Sequence, residues 1–155
     1  MQRFFTLVGH FFAASLLTFI CASMVHSQFV LHGLSDLGIV ISWSDRLRMT
    51  WQDLQGLFPT LGPIISLSLF LGLLALTLLK KWLVTLYSPL KLLYPLAGAS
   101  AVGLMLIAMQ PIMNITLIAS ARSHAGILAL CLCGAIGGWV FGRLRCGQTL
   151  LKAEA

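Results

Sequence analysis

Four long apolar runs, separated by short stretches that hold most of the charged residues, set the pattern of this chain. A helix needs about 20 apolar residues to cross a hydrocarbon core about 30 Å thick, and each run reaches that length. The pattern predicts transmembrane helices at about residues 4–27, 58–82, 91–118 and 125–144. We therefore expect an all-α membrane protein, a four-helix bundle that forms one integral membrane domain over residues 1–155.

The first apolar run also shares features with a secretory signal peptide, because Arg3 precedes an apolar core that ends near the small residues Ala22 and Ser23. However, its apolar stretch from Phe4 to Val25 is longer than the core of an ordinary signal, and no small-x-small cleavage site closes it. We therefore expect an uncleaved first crossing.

The loop between the first two crossings contains a second periodic segment, at about residues 42–56. Its apolar positions recur at intervals of four, four, three and four residues, and they are Trp43, Leu47, Trp51, Leu54 and Phe58. Ser42, with Asp45 three residues later, is a helix-start signal. We predict an amphipathic interfacial helix here. Two interpretations stay open: a helix anchored flat on the outer leaflet by Trp43 and Trp51, or a lid or docking surface.

Composition agrees with the apolar pattern. The chain is 59% hydrophobic and only 9% charged, whereas a water-soluble domain uses about 25% charged residues. The alternating segments of about 10 residues that mark an outer-membrane barrel are absent from the sequence. A bundle in a bacterial inner membrane is therefore the predicted class.

The distribution of charge predicts the orientation of the crossings and excludes nucleic acid as the reason for the net charge of +6. With four crossings and an inside N-terminus, the cytoplasmic side holds seven basic residues, Arg3, Lys80, Lys81, Lys91, Arg143, Arg145 and Lys152, against Glu154. The outer side holds Arg46, Arg48 and Arg122 against Asp36, Asp45 and Asp53. By the positive-inside rule both termini are predicted to be cytoplasmic, and Trp82 anchors the second crossing at the inner surface.

Three glycines at intervals of four lie along one face of the fourth run. Gly134, Gly138 and Gly142 form a groove on a helix, and close approach through small residues drives helix association in lipid. The third run has small residues at matching depth, namely Ala97 with Ala101 and Ala99 with Gly103. We expect these two helices to pack as an antiparallel hairpin with their closest approach near Gly138.

Weakly polar residues fall at similar depth in the predicted outer half of the bundle: Cys21, His26, Gln110, Asn114, Cys131 and Cys133. Pro111 predicts a kink in the third run, which extends over 29 residues, and Gln110 and Asn114 lie one turn apart on it. Two interpretations stay open. These residues either form interhelical hydrogen bonds and buried thiols, or Gln110, Asn114, Cys21 and His26 line a small polar cavity open to the outside.

No cofactor, metal or catalytic group is predicted. A haem held by His26 or His32 together with His124 has no defining spacing. Cys131 and Cys133 project about 200° apart on a helix and cannot readily share one metal ion. The redox cysteines that a quinone-linked disulfide oxidase keeps in outer loops are missing from the predicted loops.

Three functional hypotheses follow, in decreasing order of support. The first is a non-enzymatic accessory, assembly or scaffold subunit that acts through helix contacts with another membrane protein or with itself. The second is a small oligomeric transporter or channel whose polar site lies at the kink beside Gln110 and Asn114. The third is an enzyme or redox subunit at the outer interface. A classical proton-coupled transporter is disfavoured because the predicted membrane interior holds no acidic or basic side chain.

Overall fold

The structure is a computed structural model that describes residues 2–36, 42–83, 90–113 and 123–151. Within these ranges the chain is helical and contains no strand. The helices are α1 (Gln2–Asp36), α2 (Trp43–Leu83), α3 (Leu90–Met113) and α4 (His124–Leu151). Each includes a segment long and apolar enough to cross a bilayer. The fold is therefore all-α and consistent with a small membrane protein.

The four helices follow one another around a bundle, since α1 packs on α2 and α4, and α3 packs on α2 and α4. Two clusters of buried side chains fill its interior. The larger is formed by Phe19, Ala22, Leu61, Ile65, Leu69, Val102, Leu106, Leu130 and Cys133, with contributions from all four helices. The second is formed by Ala14, Leu73, Leu76, Tyr94 and Phe141. Most other long apolar side chains point outward, as expected for a bundle surrounded by lipid.

The amphipathic segment and the second crossing are not two helices, as the sequence analysis expected, but one. α2 runs without interruption for 41 residues, with Pro59 and Pro63 inside it. The prolines are four residues apart and both exposed, so the backbone carbonyls that lose their amide partners lie on an outward face. On the inward face, Leu57 and Leu61 continue to pack on the core. This packing keeps the helix continuous through positions that locally favour a break.

The other helix bounds also extend past the predicted crossings. α1 continues nine residues beyond 27 and ends at Asp36, because its further turns still contact α2 through Ser27 and bury Leu31. α3 includes Gln110 and Pro111 and ends at Met113. At the start of α4, the Ser123 hydroxyl accepts a hydrogen bond from the Gly126 amide at 3.0 Å, which is an N-cap.

The closest helix contact is between α3 and α4, where glycine backbones meet. A Cβ atom placed on Gly138 would overlap the carbonyl oxygen of Tyr94, and one on Gly98 would overlap the carbonyl oxygen of Gly134. A Cβ on Gly142 would lie 2.8 Å from ring atoms of Tyr94. The glycine groove of α4 is thus filled by α3 of the same chain.

The residues of α3 that meet the groove differ from the expected ones. Gly98 and Tyr94 occupy it, whereas Ala97 and Ala101 face α2, where a Cβ on Gly72 would lie 2.5 Å from the Cβ of Ala101. Gly103 lies beside Cys131, whose Sγ is 3.2 Å from the position of a Cβ on Gly103. Small residues of α3 therefore pack against both α2 and α4, and not against α4 alone.

We expect Ser68→Ala to weaken the α2–α3 contact by about 0.6 kcal/mol, the average for an interhelical hydrogen bond in a membrane protein. The Ser68 hydroxyl donates to the carbonyl oxygen of Ala101 across the interface at 2.8 Å. Ser100→Ala is the matched control, because its hydroxyl bonds within α3, to Ala97 at 3.1 Å, and is exposed. Unfolding in mixed micelles measures both; equal effects would contradict the role of Ser68.

Candidate functional site

A polar cluster joins α1 to α2 near the end of the bundle where these two helices connect. The Ser27 hydroxyl lies 2.8 Å from Oδ2 of Asp53, to which it donates a hydrogen bond, and 3.0 Å from the carbonyl oxygen of Ser23. Ser23 and Ser27 are fully buried, and Asp53 is half-buried. His26, on the same face of α1, lies close enough to Asp53 for their charges to interact. Asp53, which was predicted on the polar side of the amphipathic helix, is therefore part of a contact between α1 and α2.

Among the described residues, two buried atoms of this cluster have no hydrogen-bond partner: the Ser23 hydroxyl oxygen and Nδ1 of His26. The Ser15 hydroxyl, two turns earlier on α1, also has none within this part of the chain. Such groups are rare in folded proteins, because each loses its hydration without gaining a bond.

The structure does not show the four residues of the predicted polar cavity at one site. His26 is half-buried beside Asp53, while Cys21 packs against the core cluster that contains Cys133. Gln110 belongs to α3, and Asn114 lies outside the described residues. The interpretation of these four as one cavity therefore stays a prediction.

The other candidate ligands are distributed over α1 and α4. His32 and His124 are exposed, on α1 and at the start of α4. Cys131 lies against Gly103 of α3, and Cys133 is buried in the core. In the part of the chain that the structure describes, no three His, Cys, Asp or Glu side chains are grouped so that they could hold a metal ion.

Ser27 and Asp53 were not predicted as a pair, and Gly98, Gly72 and Gly137 were not predicted as contact positions. Gly137 lies against α1, where a Cβ on it would overlap the hydroxyl of Thr18. A signal for the glycines was present, because a glycine inside a helix usually has a packing reason. No local signal connects Ser27 to Asp53, since they are 26 residues apart and on different helices.

A lateral groove between α2 and α3 is a concave surface of the bundle, with a volume of about 770 Å³. Small residues in its lining are Gly72, Ala75, Ala97, Ala101 and Ala108, and leucines of both helices line much of the rest, with Ile64, Met105 and Met109. Its two hydroxyl groups, on Ser68 and Ser100, already donate to backbone carbonyls. The groove therefore offers hydrocarbon and little that could recognise a polar ligand.

The apolar stripe of α2 is the second exposed feature. We define the stripe as Trp43, Leu47, Trp51 and Phe58, whose exposed fractions are 82%, 74%, 62% and 57%. The Arg46 guanidinium lies 5.8 Å from the centre of the Trp43 ring, and Phe58 contacts Phe19 of α1 edge to face. Trp82, the third predicted anchor, belongs to the last turn of α2.

Both features involve α2. The groove lies along its second half, and the stripe lies on its first turns.

Comparison of the chain with protein-family models, with curated proteins and with solved structures finds no match.

Proposed function

We propose that this chain is a plasma-membrane protein of bacterial type with four crossings and both termini in the cytoplasm. We propose further that it is a non-enzymatic accessory, assembly or scaffold subunit, which acts by binding a transmembrane helix of another membrane protein. The lateral groove between α2 and α3 is the observation that carries this function. Basic residues at the ends of the membrane-length segments support the orientation.

The dimensions of the groove favour a helix over a lipid chain as its occupant. Its lining runs from Leu93 to Met109 on α3, a rise of about 24 Å. One acyl chain occupies a single leaflet, about 15 Å of the hydrocarbon core, whereas a transmembrane helix crosses both leaflets. The exposed small side chains of Ala75 and Ala108 in its lining also allow a neighbouring backbone to come close, which is how helices associate in lipid.

The chemistry of the groove weighs against the transporter hypothesis. A polar substrate needs hydrogen-bonding groups that are not already engaged, and Ser68 and Ser100 are engaged by their own bundle. The alternative polar site, at Gln110 and Asn114, stays a prediction. The glycine groove of α4 is filled from within the chain, so it does not supply the partner surface.

Photo-crosslinking in native membranes tests the proposed function. A photoreactive residue at Leu71, which lines the groove, is expected to capture one defined membrane protein. Leu132 on α4 is the matched control, because it is similarly exposed but does not line the groove. We expect Ala108→Trp, which fills the groove from an exposed position, to abolish the Leu71 adduct.

Lipid adducts alone at Leu71 would contradict the proposal, as would the same protein adducts at Leu71 and Leu132. The Ala108→Trp variant should unfold in mixed micelles as the unsubstituted chain does. Loss of the adduct is then due to the filled groove and not to a misfolded bundle.

A further inference from the structure

We propose that the apolar stripe of α2 binds the same stripe of a second copy of this chain, in parallel, from the outer headgroup layer at Phe58 to the water beyond it at Trp43. This inference rests on the proposed membrane placement but not on the groove or on its partner. It assigns to the segment a role in self-association, in place of the expected flat anchor on the lipid surface.

The length of α2 decides against lipid as the cover of the stripe. α2 has 41 residues, a rise of about 62 Å, while the hydrocarbon core is about 30 Å thick. With Lys80 and Lys81 at the inner boundary of this core, about 20 residues bring the helix to Thr60 at the outer boundary. Trp51 then lies about 13 Å and Trp43 about 25 Å beyond the hydrocarbon, whereas the headgroup layer is only about 5–8 Å thick. A typical tilt of about 20° shortens these heights by only about 6%.

The same continuity excludes a helix that lies flat. A segment on the membrane surface must turn roughly perpendicular to the crossing that follows it. α2 stays beside α1 on both sides of its prolines, which holds its first part upright: Phe70 contacts Phe11, Phe58 contacts Phe19, and Asp53 bonds Ser27. Large apolar side chains therefore project into water, which marks an interaction site.

A second copy fits the stripe by position and by spacing. All copies of a membrane protein have the same orientation, so two stripes meet at the same height, related by a two-fold axis along the membrane normal. The intervals from Leu47 through Trp51 and Leu54 to Phe58 are four, three and four residues. They match the a and d positions of a two-stranded coiled coil. The repeat thus predicts a parallel seam.

The area of the stripe reaches the size that a specific dimer needs. Each buried aromatic side chain contributes about 150–250 Å². Given the exposed fractions of its four members, the stripe presents on the order of 500 Å² per copy. Two stripes together bury on the order of 1,000 Å², where specific interfaces begin.

The remaining side chains permit this seam. On a helix with 100° per residue, the direction between Asp53 and Leu57, which face α1, lies about 120° from the direction between Leu47 and Trp51. α1 therefore leaves room for a second α2 along Trp43, Leu47 and Trp51, whereas Leu54 and Phe58 at the membrane end of the seam also contact their own bundle. In the coiled-coil register Arg48 lies opposite Trp43 of the second copy, a cation–π arrangement, and no like charges meet across the seam.

Single cysteines test the seam in the full chain, expressed in its native membrane with the four native cysteines replaced by alanine. In a parallel two-stranded coil, a and d residues face their own counterparts. Ser44→Cys and Leu47→Cys are therefore expected to form disulfide-linked dimers under mild oxidation. Gln52→Cys, which is equally exposed but on the outer face of the seam, is the control, and about tenfold less dimer is expected from it. A membrane-impermeant maleimide is expected to label Gln52→Cys in intact cells.

The outcomes separate the inference from the membrane placement. If Gln52→Cys is labelled but Ser44→Cys and Leu47→Cys do not form more dimer than it does, the pairing is wrong and the placement stands. If Gln52→Cys is not labelled from outside, the placement is wrong and the inference falls with it. A disulfide from Leu47→Cys to a protein of different mass would also overturn the pairing of two copies.

Discussion

Replacing Gly138 by alanine is expected to lower the free energy of unfolding by about 2 kcal/mol, although alanine is the better helix former by about 1 kcal/mol. The added Cβ would overlap the carbonyl oxygen of Tyr94, and Gly98 Cα lies only 3.3 Å from it. These neighbours are backbone atoms, so α3 must move away as a unit. Such overpacking typically costs about 1–3 kcal/mol, and more where the neighbour cannot yield. Unfolding in mixed micelles, followed by helical circular dichroism, measures the change.

Gly56→Ala is the matched control, because Gly56 lies inside α2 and a Cβ on it meets nothing within 4 Å. There the helix propensity acts alone, and a gain of up to about 1 kcal/mol is expected. Opposite signs at the two positions are therefore expected for the same chemical change. A loss of stability at both, or at neither, would contradict the glycine contact between α3 and α4.

The sequence was sufficient to predict that α3 packs on α4, but not to predict which residues of α3 form the contact. Glycines at intervals of four indicate a groove whatever fills it, because the absence of side chains is visible in the sequence. What fills the groove depends on how α3 is rotated. That rotation is set jointly by α2 and α4, since Ala101 faces Gly72 while Gly98 faces Gly134. The spacing of small residues along one helix cannot distinguish these two faces.

The predicted separation of the amphipathic segment from the second crossing shows how local and tertiary signals compete. Pro59 and Pro63 suit the first turn of a helix, where amides need no intrahelical partner, so a new helix was predicted to start near residue 58. The contacts that keep the helix intact, through Leu57 and Leu61, are with distant parts of the chain. The apolar spacing of Trp43, Leu47 and Trp51 was read correctly as periodic, but spacing alone does not give the direction of the helix axis relative to the membrane.

Only one member of the candidate polar site could be predicted from the sequence. His26 was a candidate because a histidine in an apolar run is unusual. Asp53 was not, because the periodic pattern placed it on the polar side of the predicted amphipathic helix. Only the antiparallel alignment of α1 with α2, fixed by contacts such as Phe11 with Phe70 and Phe19 with Phe58, brings Asp53 to the height of Ser27.

Ser27→Ala is expected to weaken the α1–α2 contact by about 1.5–2 kcal/mol, the lower part of the range for hydrogen bonds to charged groups, since Asp53 is only half-buried. The substitution removes the donor of a 2.8 Å hydrogen bond and leaves the carboxyl oxygen of Asp53 facing a buried methyl group. Unfolding in mixed micelles measures the total effect. The local effect is measured by hydrogen exchange of the backbone amides in the first turns of α2, where faster exchange is expected.

Ser35→Ala, the same change at an exposed position of α1, separates the bond from the helix propensity of alanine. A double-mutant cycle with Asp53→Leu isolates the pair, and a coupling free energy of about 1 kcal/mol is expected because the two side chains are in direct contact. Additive effects would mean that Asp53 does not hold the two helices together through Ser27. Weaker coupling would also let the first turns of α2 move away from α1. In that case the dimer disulfide of Leu47→Cys should decrease in the Ser27→Ala background, because the stripe would no longer be held upright.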